Sequence, residues 1–330
     1  MVDRPASPPS TTHVVPPELS DAVLTWYADR ARSLPFRGAS DPYAILVSEA
    51  MAQQTQVVRA GQAWTRFMAR FPTVEVLAAA APADVIRAWQ GLGYNRRALN
   101  LWRAAGQIVE QFGGRVPPDV AALESLPGVG PYTARAVAAL AFGMPVGAVD
   151  TNVRRVLGRI VAGEAGVLAP AALQRLADQA VPPDRPAAWT HALMDIGATL
   201  CKPRRPDCAA CPARPWCRYA SPVGAEAGAE AKTEAPGRVA VTAWAGRPAM
   251  TAAAKTEARA PFHTTSRWLR GRILDRLRKA PNGEWVVLDG SIGEHDPVAV
   301  EVATRALAKE GLLELEGAAP AVIQARLPIA

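Results

Sequence analysis

Between residues 20 and 200 the apolar positions recur at helical spacing, and nowhere before residue 220 does a stretch alternate apolar and polar as a half-buried strand does. That pattern confines most of the chain to short packed helices with no sheet. The punctuation agrees with it. Pro42, Pro82, Pro118, Pro131 and Pro170 each precede a periodic stretch, and proline is well tolerated in a first helical turn. Glycine turns at Gly91-Leu92-Gly93 and Gly128-Val129-Gly130 separate neighbouring stretches. The spacing predicts a first helix capped by Ser20 or Asp21 and reaching Arg32, and a second from Pro42 that continues through Gln53-Gln54-Thr55-Gln56 into residues 57–71. Further helices are expected over 73–80, 82–90, 96–112, 118–125, 131–142, 151–161, 170–180 and 187–200.

Outside this region the composition changes. Residues 1–17 are rich in Pro, Ser and Thr and too poor in apolar residues to pack, so a disordered leader is expected before a helical domain over 18–220. Residues 221–262 turn to Ala, Gly, Glu, Lys, Thr and Pro, and the string Ala-Lys-Thr-Glu-Ala occurs at both 231–235 and 254–258, which is linker chemistry. Residues 263–330 then read helix (266–279), strand (285–288), helix (297–310) and two strands (312–316 and 321–327), the order of a small winged-helix-like α+β module. Arg267, Arg270, Arg272, Arg276 and Arg278 make its first helix basic, either to meet DNA or as a solvated face.

A formal net charge of +7 and a sequence pI near 9.6 favour a polyanionic partner, nucleic acid first. No apolar run is long enough to span a membrane and the N-terminus lacks the apolar core of a signal peptide, so a cytoplasmic protein with no membrane partner is expected. In such a reducing compartment four cysteines on one short stretch are metal ligands rather than disulfides. They stand as Cys201-x6-Cys208-x2-Cys211-x5-Cys217, and four thiolates there suit either a tetrahedral zinc or a four-iron cluster. Lys202, Arg204, Arg205, Arg214 and Arg218 surround them against a single acid, Asp207, so the loop can also present cations to phosphates.

Two carboxylates have chemical promise. Glu49 falls in the apolar stripe of Ile45 and Ala52, where a carboxylate is expensive unless it is used. Asp150 stands at the start of a helix, shortly after Leu126-Pro127-Gly128-Val129-Gly130-Pro131-Tyr132, a glycine turn entering another helix. Such a turn is by itself a common loop, yet its backbone N–H groups also form a ready anion site.

Taken together, Glu49 followed by Gln-Gln-Thr-Gln, the turn from Gly91 to Tyr94, the hairpin from Leu126 to Tyr132, the run from Val149 to Val156, and the cysteine loop resemble the adenine DNA glycosylase (MutY) family of the helix-hairpin-helix DNA glycosylase superfamily. The likeness runs collinearly over roughly 20–220, and Arg270-Gly271-Arg272-Ile273-Leu274 is similar to the short C-terminal extension of actinobacterial members. It implies a mainly α fold of two helical subdomains with an iron–sulfur loop, the linker and the winged-helix-like module. It moves the cysteine loop from the open choice of metals to a [4Fe-4S] cluster on Cys201, Cys208, Cys211 and Cys217. It implies base excision from double-stranded DNA in which adenine is mispaired with 8-oxoguanine or guanine, performed by a monomer.

Within that resemblance Glu49 is the acid that protonates adenine, and Asp150 stabilises the cationic sugar, with Tyr132 and Asn152 bonding to the reacting groups. Breaking an N-glycosidic bond develops oxocarbenium character on the sugar and negative charge on the purine, so an anion and a proton donor are what the chemistry requires. Tyr132 occupies the position of the Schiff-base lysine of endonuclease III type relatives, which implies a monofunctional enzyme with little lyase activity. Gln54 and Tyr94 match the wedge and intercalating residues, Thr55 and Leu92 contact the opposite base, and Gly128, Val129 and Gly130 hold a backbone phosphate together with a monovalent cation. Phe36, Arg37, Ala52 and Val57 match the base pocket. Phe36 replaces a usual tryptophan and Ala52 a usual leucine, which leaves room in that pocket and keeps a mismatch thymine or uracil glycosylase as the alternative activity. A non-catalytic DNA-binding protein is the alternative of a different class. The roughly 65 residues after the linker are too few for the Nudix-like domain with which many relatives recognise 8-oxoguanine, and Phe262-His263-Thr264-Thr265 is only faintly similar to a recognition loop from it.

Overall fold

The computed structural model describes residues 15–163, 168–220, 261–316 and 323–329. Most of the expected leader, nearly all of the expected linker and the first residues of the last expected strand lie outside the described residues. Two compact units divide the chain, residues 1–224 with 327–330, and residues 225–326.

The first unit is helical throughout its described residues: α1 (Pro17–Arg30), α2 (Pro42–Ala52), α3 (Val57–Arg70), α4 (Val74–Ala78), α5 (Pro82–Ala88), α6 (Arg96–Phe112), α7 (Val120–Glu124), α8 (Pro131–Phe142), α9 (Thr151–Ala162), α10 (Pro170–Gln179) and α11 (Pro186–Thr199). Among the described residues no helix is long and apolar enough to cross a membrane. Two apolar cores hold the unit. One joins α2 to α8 around Leu46, Met51, Phe67, Trp89 and Ile108, and the other joins α1, α9, α10, α11 and the cysteine loop around Leu19, Leu157, Leu173, Trp189 and Ile196. The two expected helical subdomains are these two cores. Burying one such large side chain contributes about 1.5–3 kcal/mol.

Two boundaries differ from the sequence expectation. Helix α1 starts at Pro17, with Pro16 as its cap and Val15 already buried, so packing begins ahead of Ser20 and Asp21. The Ser20 hydroxyl donates to the carbonyl of Pro17 at 2.8 Å, inside the first turn. Helix α2, which Asp41 caps by accepting from the Tyr43 N–H, does not run on into α3. It stops at Ala52, and Gln54 takes a left-handed backbone, φ 52°. Apolar periodicity could not reveal that break, because the four residues involved are all polar.

The strongest polar tie of the unit is a buried carboxylate. Asp195 of α11, with no exposed side-chain surface, pairs with Arg32 at 2.6 Å and with Arg37 at 2.6 Å. Arg37 reaches both carboxylate oxygens and also donates to the Tyr27 hydroxyl at 2.8 Å. Both arginines lie between α1 and α2, so this ion pair fixes the chain where it passes from one core to the other.

The second unit contains α12 (Ser266–Lys279), β1 (Val286–Val287), α13 (Pro297–Lys309), β2 (Glu314–Glu316) and β3 (Gln324–Arg326). The strands form an antiparallel sheet in the order β1-β3-β2, with Ala325 opposite both Val286 and Leu315. Leu269, Ile273, Leu277, Val300 and Leu307 are buried on the facing sides of the two helices. Several of the α12 arginines are ties within the module: Arg270 pairs with Glu310, and Arg272 and Arg278 both pair with Asp275. Three of its five arginines are thus engaged in ties within the module, while the helix keeps an excess of positive charge.

Removing the shared acid should be costly. Asp195→Ala leaves two guanidinium groups without their partner, and a broken buried pair costs about 3–5 kcal/mol, to be read as a lowered urea midpoint. Burial alone would raise the carboxyl of Asp195, but hydrogen bonds and charge from Arg37 and Arg32 outweigh it and hold the group below its usual range. Its stabilisation is thus present at neutral pH and is lost as pH falls below the ordinary carboxylate range, so the wild type and the variant should converge in stability in acid.

Candidate active site

Helix α2 carries Glu49 near its C-terminal end, on a face so apolar that the side chain is buried with Ile45, Leu46 and Met51. Helix α8 packs across α2. Because α8 opens directly after the hairpin, its second residue, Tyr132, lies beside that carboxyl. The Tyr132 hydroxyl faces two acceptors, the sulfur of Met194 at 3.9 Å and the carboxylate of Glu49, whose charged form it favours. Burial pushes the Glu49 carboxyl up to about 7, against the Tyr132 hydrogen bond, with the charge of Asp150 adding to the rise and that of Arg37 opposing it. The same surroundings, burial first, hold the Tyr132 hydroxyl well above its ordinary value, so it remains a donor.

Asp150 arrives from the other core as the cap of α9. One carboxylate oxygen accepts from the Val153 N–H at 2.7 Å and the other from the Asn152 side-chain amide at 2.9 Å. Asn152 is itself oriented by Arg155, which donates to its carbonyl oxygen at 2.8 Å, to the carbonyl of Gly197 at 2.7 Å and to that of Cys201 at 2.6 Å. At Gly197 a Cβ would stand 2.5 Å from that of Asn152, so only glycine lets α11 approach this closely. The four residues expected at the reacting centre are thus brought together: Glu49 and Tyr132 from one core, Asp150 and Asn152 from the other.

The residues expected to meet DNA lie on three loops. Gln54 and Tyr94 are exposed, and both have a left-handed backbone, φ 52° and 45°; among the described non-glycine residues only Arg205 shares it. Each such residue costs about 1–3 kcal/mol unless its surroundings over-determine it. Thr55 is half-buried, its hydroxyl bonded to the Gln53 carbonyl. Leu92 is different from the expectation. Its side chain is 5% exposed in the α2–α8 core and its carbonyl accepts from Arg97, so it offers no free side chain to an opposite base. At the hairpin, Gly128 has φ 80° and a Cβ would stand 2.7 Å from that of Asn100, whereas nothing lies within 4 Å of a Cβ at Gly130. Openness at Gly130, next to the N-terminus of α8, is what a close phosphate approach requires. Val129 is buried and offers its backbone alone.

Of the expected pocket residues, Phe36 lies edge-on to Trp64 at 6.3 Å between ring centres, and Arg37 is held by Asp195 within electrostatic reach of Glu49. Ala52 and Val57 are half-buried on either side of the loop that carries Gln54. Arg97, Arg155 and Asp195 were not legible as site residues. A signal existed for Arg97: it lies in the first turn of α6, where the helix dipole disfavours a cation.

The cysteine loop follows α11 and is tied to α9. Arg159 donates to the Cys201 sulfur at 3.4 Å and to the carbonyls of Lys202 and Pro203, its own carbonyl accepts from Cys217, and its guanidinium lies over the Tyr219 ring at 4.4 Å. Burial pushes the Cys211 thiol up to about 11, and the other three sulfurs add to the rise. Among the described residues no three His, Cys, Asp or Glu side chains converge as a ready single-ion site.

With this geometry in place, comparison with known proteins is informative. Residues 47–182 match the model of the HhH-GPD superfamily of base excision DNA repair proteins. An adenine DNA glycosylase of Mycolicibacterium smegmatis is 40% identical over 297 residues, covering 88% of this chain and 91% of that protein. The adenine DNA glycosylase of Homo sapiens is 42% identical over 209 residues, 60% of this chain and 38% of that one. Among solved structures, a thermostable thymine-DNA glycosylase superposes with a TM-score of 0.58 at 32% identity over 61% of this chain and 94% of its own. An endonuclease III–DNA complex, at 24% identity and a TM-score of 0.53 over 61% of this chain and 92% of its own, shares the fold.

Since the carboxyl of Glu49 is raised in the folded state, its contribution to stability is full below its unfolded value and is lost as pH rises through about 7. Glu49→Gln keeps the shape and removes that loss. Its melting temperature should exceed that of wild type at pH 8, on the order of 1–3 kcal/mol in stability, and match it only below the unfolded carboxyl value of 4.5. No gain at pH 8 would show that the carboxyl is not held up.

Proposed function

This chain belongs to the adenine DNA glycosylases of the HhH-GPD superfamily, and from that membership we propose that it excises adenine mispaired with 8-oxoguanine or guanine in double-stranded DNA, without a lyase step. The observation that carries the reading is the pair of carboxyl groups within reach of each other in unlike surroundings: Glu49 buried and raised to about 7, Asp150 oriented by two N–H donors at the start of α9.

In this reading Glu49 enters the reaction protonated. Its proton passes to the purine as the N-glycosidic bond breaks, so the base leaves neutral. Asp150 lies on the sugar side and stabilises the developing oxocarbenium charge. Tyr132 keeps Glu49 oriented. A phenol cannot form the Schiff base on which a β-lyase step depends. To expose the bond, the adenine must leave the stack, at a cost of a few kcal/mol that is smallest for a mispaired base. The exposed Gln54 and Tyr94 fill the space it vacates. The hairpin at Gly128 to Gly130 holds a phosphate, with a monovalent cation.

Cys201, Cys208, Cys211 and Cys217 would hold a [4Fe-4S] cluster. The donor chemistry suits it: four thiols stand on one short loop, and Cys211 is near enough to the other three for their charge to act on it. When bound, the cluster supplies a cross-link and a fixed charge rather than chemistry on the base.

Duplexes carrying A opposite 8-oxoguanine, A opposite G, or T opposite G, treated with the enzyme and then hot alkali, test the assignment. Cleavage at the adenine strand alone is expected; cleavage only at T would replace the substrate, and no cleavage would remove the activity. Omitting the alkali should leave the strands intact. Because Glu49 acts protonated, the single-turnover rate should fall as pH rises above about 7. Tyr132→Phe, which removes the hydrogen bond that favours the charged carboxylate, should shift that fall to higher pH.

A further inference from the structure

Arg97 has no part in the chemistry above, yet it makes more hydrogen bonds at the DNA-facing side of the first unit than its place in a helix requires. One terminal nitrogen donates to the carbonyls of Ala50 at 2.9 Å, Met51 at 3.1 Å and Gln53 at 2.5 Å. The other donates to the Thr55 hydroxyl at 3.1 Å and to the carbonyls of Leu92 at 3.3 Å and Gly93 at 3.1 Å. The guanidinium also lies over the rings of Trp89 at 5.4 Å and Tyr94 at 5.8 Å.

These partners fall into two groups. Ala50, Met51, Gln53 and Thr55 form the end of α2 and the loop carrying Gln54, while Leu92, Gly93 and Tyr94 form the second loop. Arg97 bonds to the carbonyl immediately before each of the two strained residues. The third loop joins through neighbours: the Gln53 amide donates to Thr133 at 3.2 Å, and Asn100, one turn along α6, packs under Gly128. Gln53, Arg97, Asn100, Gly128 and Thr133 all border one cavity of about 40 Å³. All six acceptors are neutral oxygens, and the Nε of Arg97 is buried without a partner, so the cation is held here at an energetic cost.

We propose that Arg97 is a positioning residue: it clamps the loops of Gln54 and Tyr94 at one fixed separation so that both side chains enter the vacated stack together. The inference rests on the glycosylase reading above and deepens it. A planar guanidinium with forked donors spans two loops at once; a lysine ammonium, which donates from a single point, cannot.

The test compares Arg97→Met and Arg97→Lys with wild type in single-turnover excision of adenine from an A:G mismatch and from the same adenine unpaired in a one-nucleotide bulge. A clamp predicts a loss on the order of ten- to a hundred-fold on the mismatch, only a few-fold on the bulge, for both variants. Duplexes with 2-aminopurine at the target should show a correspondingly weaker fluorescence rise on binding. Equal losses on both substrates would reduce Arg97 to a structural residue, and full activity of Arg97→Lys would reduce it to a charge; either overturns the clamp. If Arg97→Met fails to fold, Arg97→Lys alone decides by the same comparison. Wild type inactive on both substrates would instead overturn the glycosylase reading.

Discussion

Asp195 is wholly buried, and a carboxylate at that depth is tolerable only because Arg32 and Arg37 close on its oxygens. This network belongs to both apolar cores at once. Asp195 comes from α11 in one, and the arginines from the segment that leads into α2 in the other. Glu49 and Asp150 are contributed by opposite cores, so any slippage between the two would separate them. The polar tie also reaches the site itself, since the charge of Arg37 opposes the rise of Glu49. A change that loosened the ion pair would therefore alter both the geometry of the pair and the proton affinity of one member.

The same device recurs wherever a functional loop must be held. Arg97 gathers the loops of Gln54 and Tyr94, Arg155 links Asn152 to the carbonyl of Cys201, and Arg159 fastens the cysteine loop to α9. In each case the acceptors are largely backbone carbonyls at helix ends and turns, groups that would otherwise be orphaned. A guanidinium can satisfy several such groups in fixed directions, which explains why arginine does this work in loops that have little apolar surface of their own. The basic composition that suggests a polyanionic partner is thus partly consumed inside the protein.

The helical fold was largely legible from sequence because packed helices bury one stripe, and the stripe shows as periodicity. Where the chain breaks for a polar reason, as at Gln54, periodicity carries no signal. Pro16 and Pro17 likewise start α1 earlier than the nearest serine or aspartate suggests. At the site, Glu49 was legible as an acid in an apolar stripe and Asp150 as an acid at a helix start, because both positions are unusual for their residue types. Leu92 was placed by family likeness at the opposite base, but its side chain belongs to the core. Arg97 and Asp195 escaped notice because nothing about a single arginine or aspartate in a helix reveals how many distant groups it will reach.

By itself, then, the sequence determined the helical class, the order of the elements, the cysteine spacing and the identity of the two carboxylates. These follow from local chemistry: stripe, cap, turn and ligand set. The tertiary structure decided what the carboxylates can do. Residues a hundred positions apart become electrostatic neighbours only when α11, packed on both α8 and α9, brings the start of α9 towards α2, and the rise of Glu49 to about 7 comes first from its burial. Desolvation and through-space charge depend on what surrounds a group, and that is written in no short stretch of the chain.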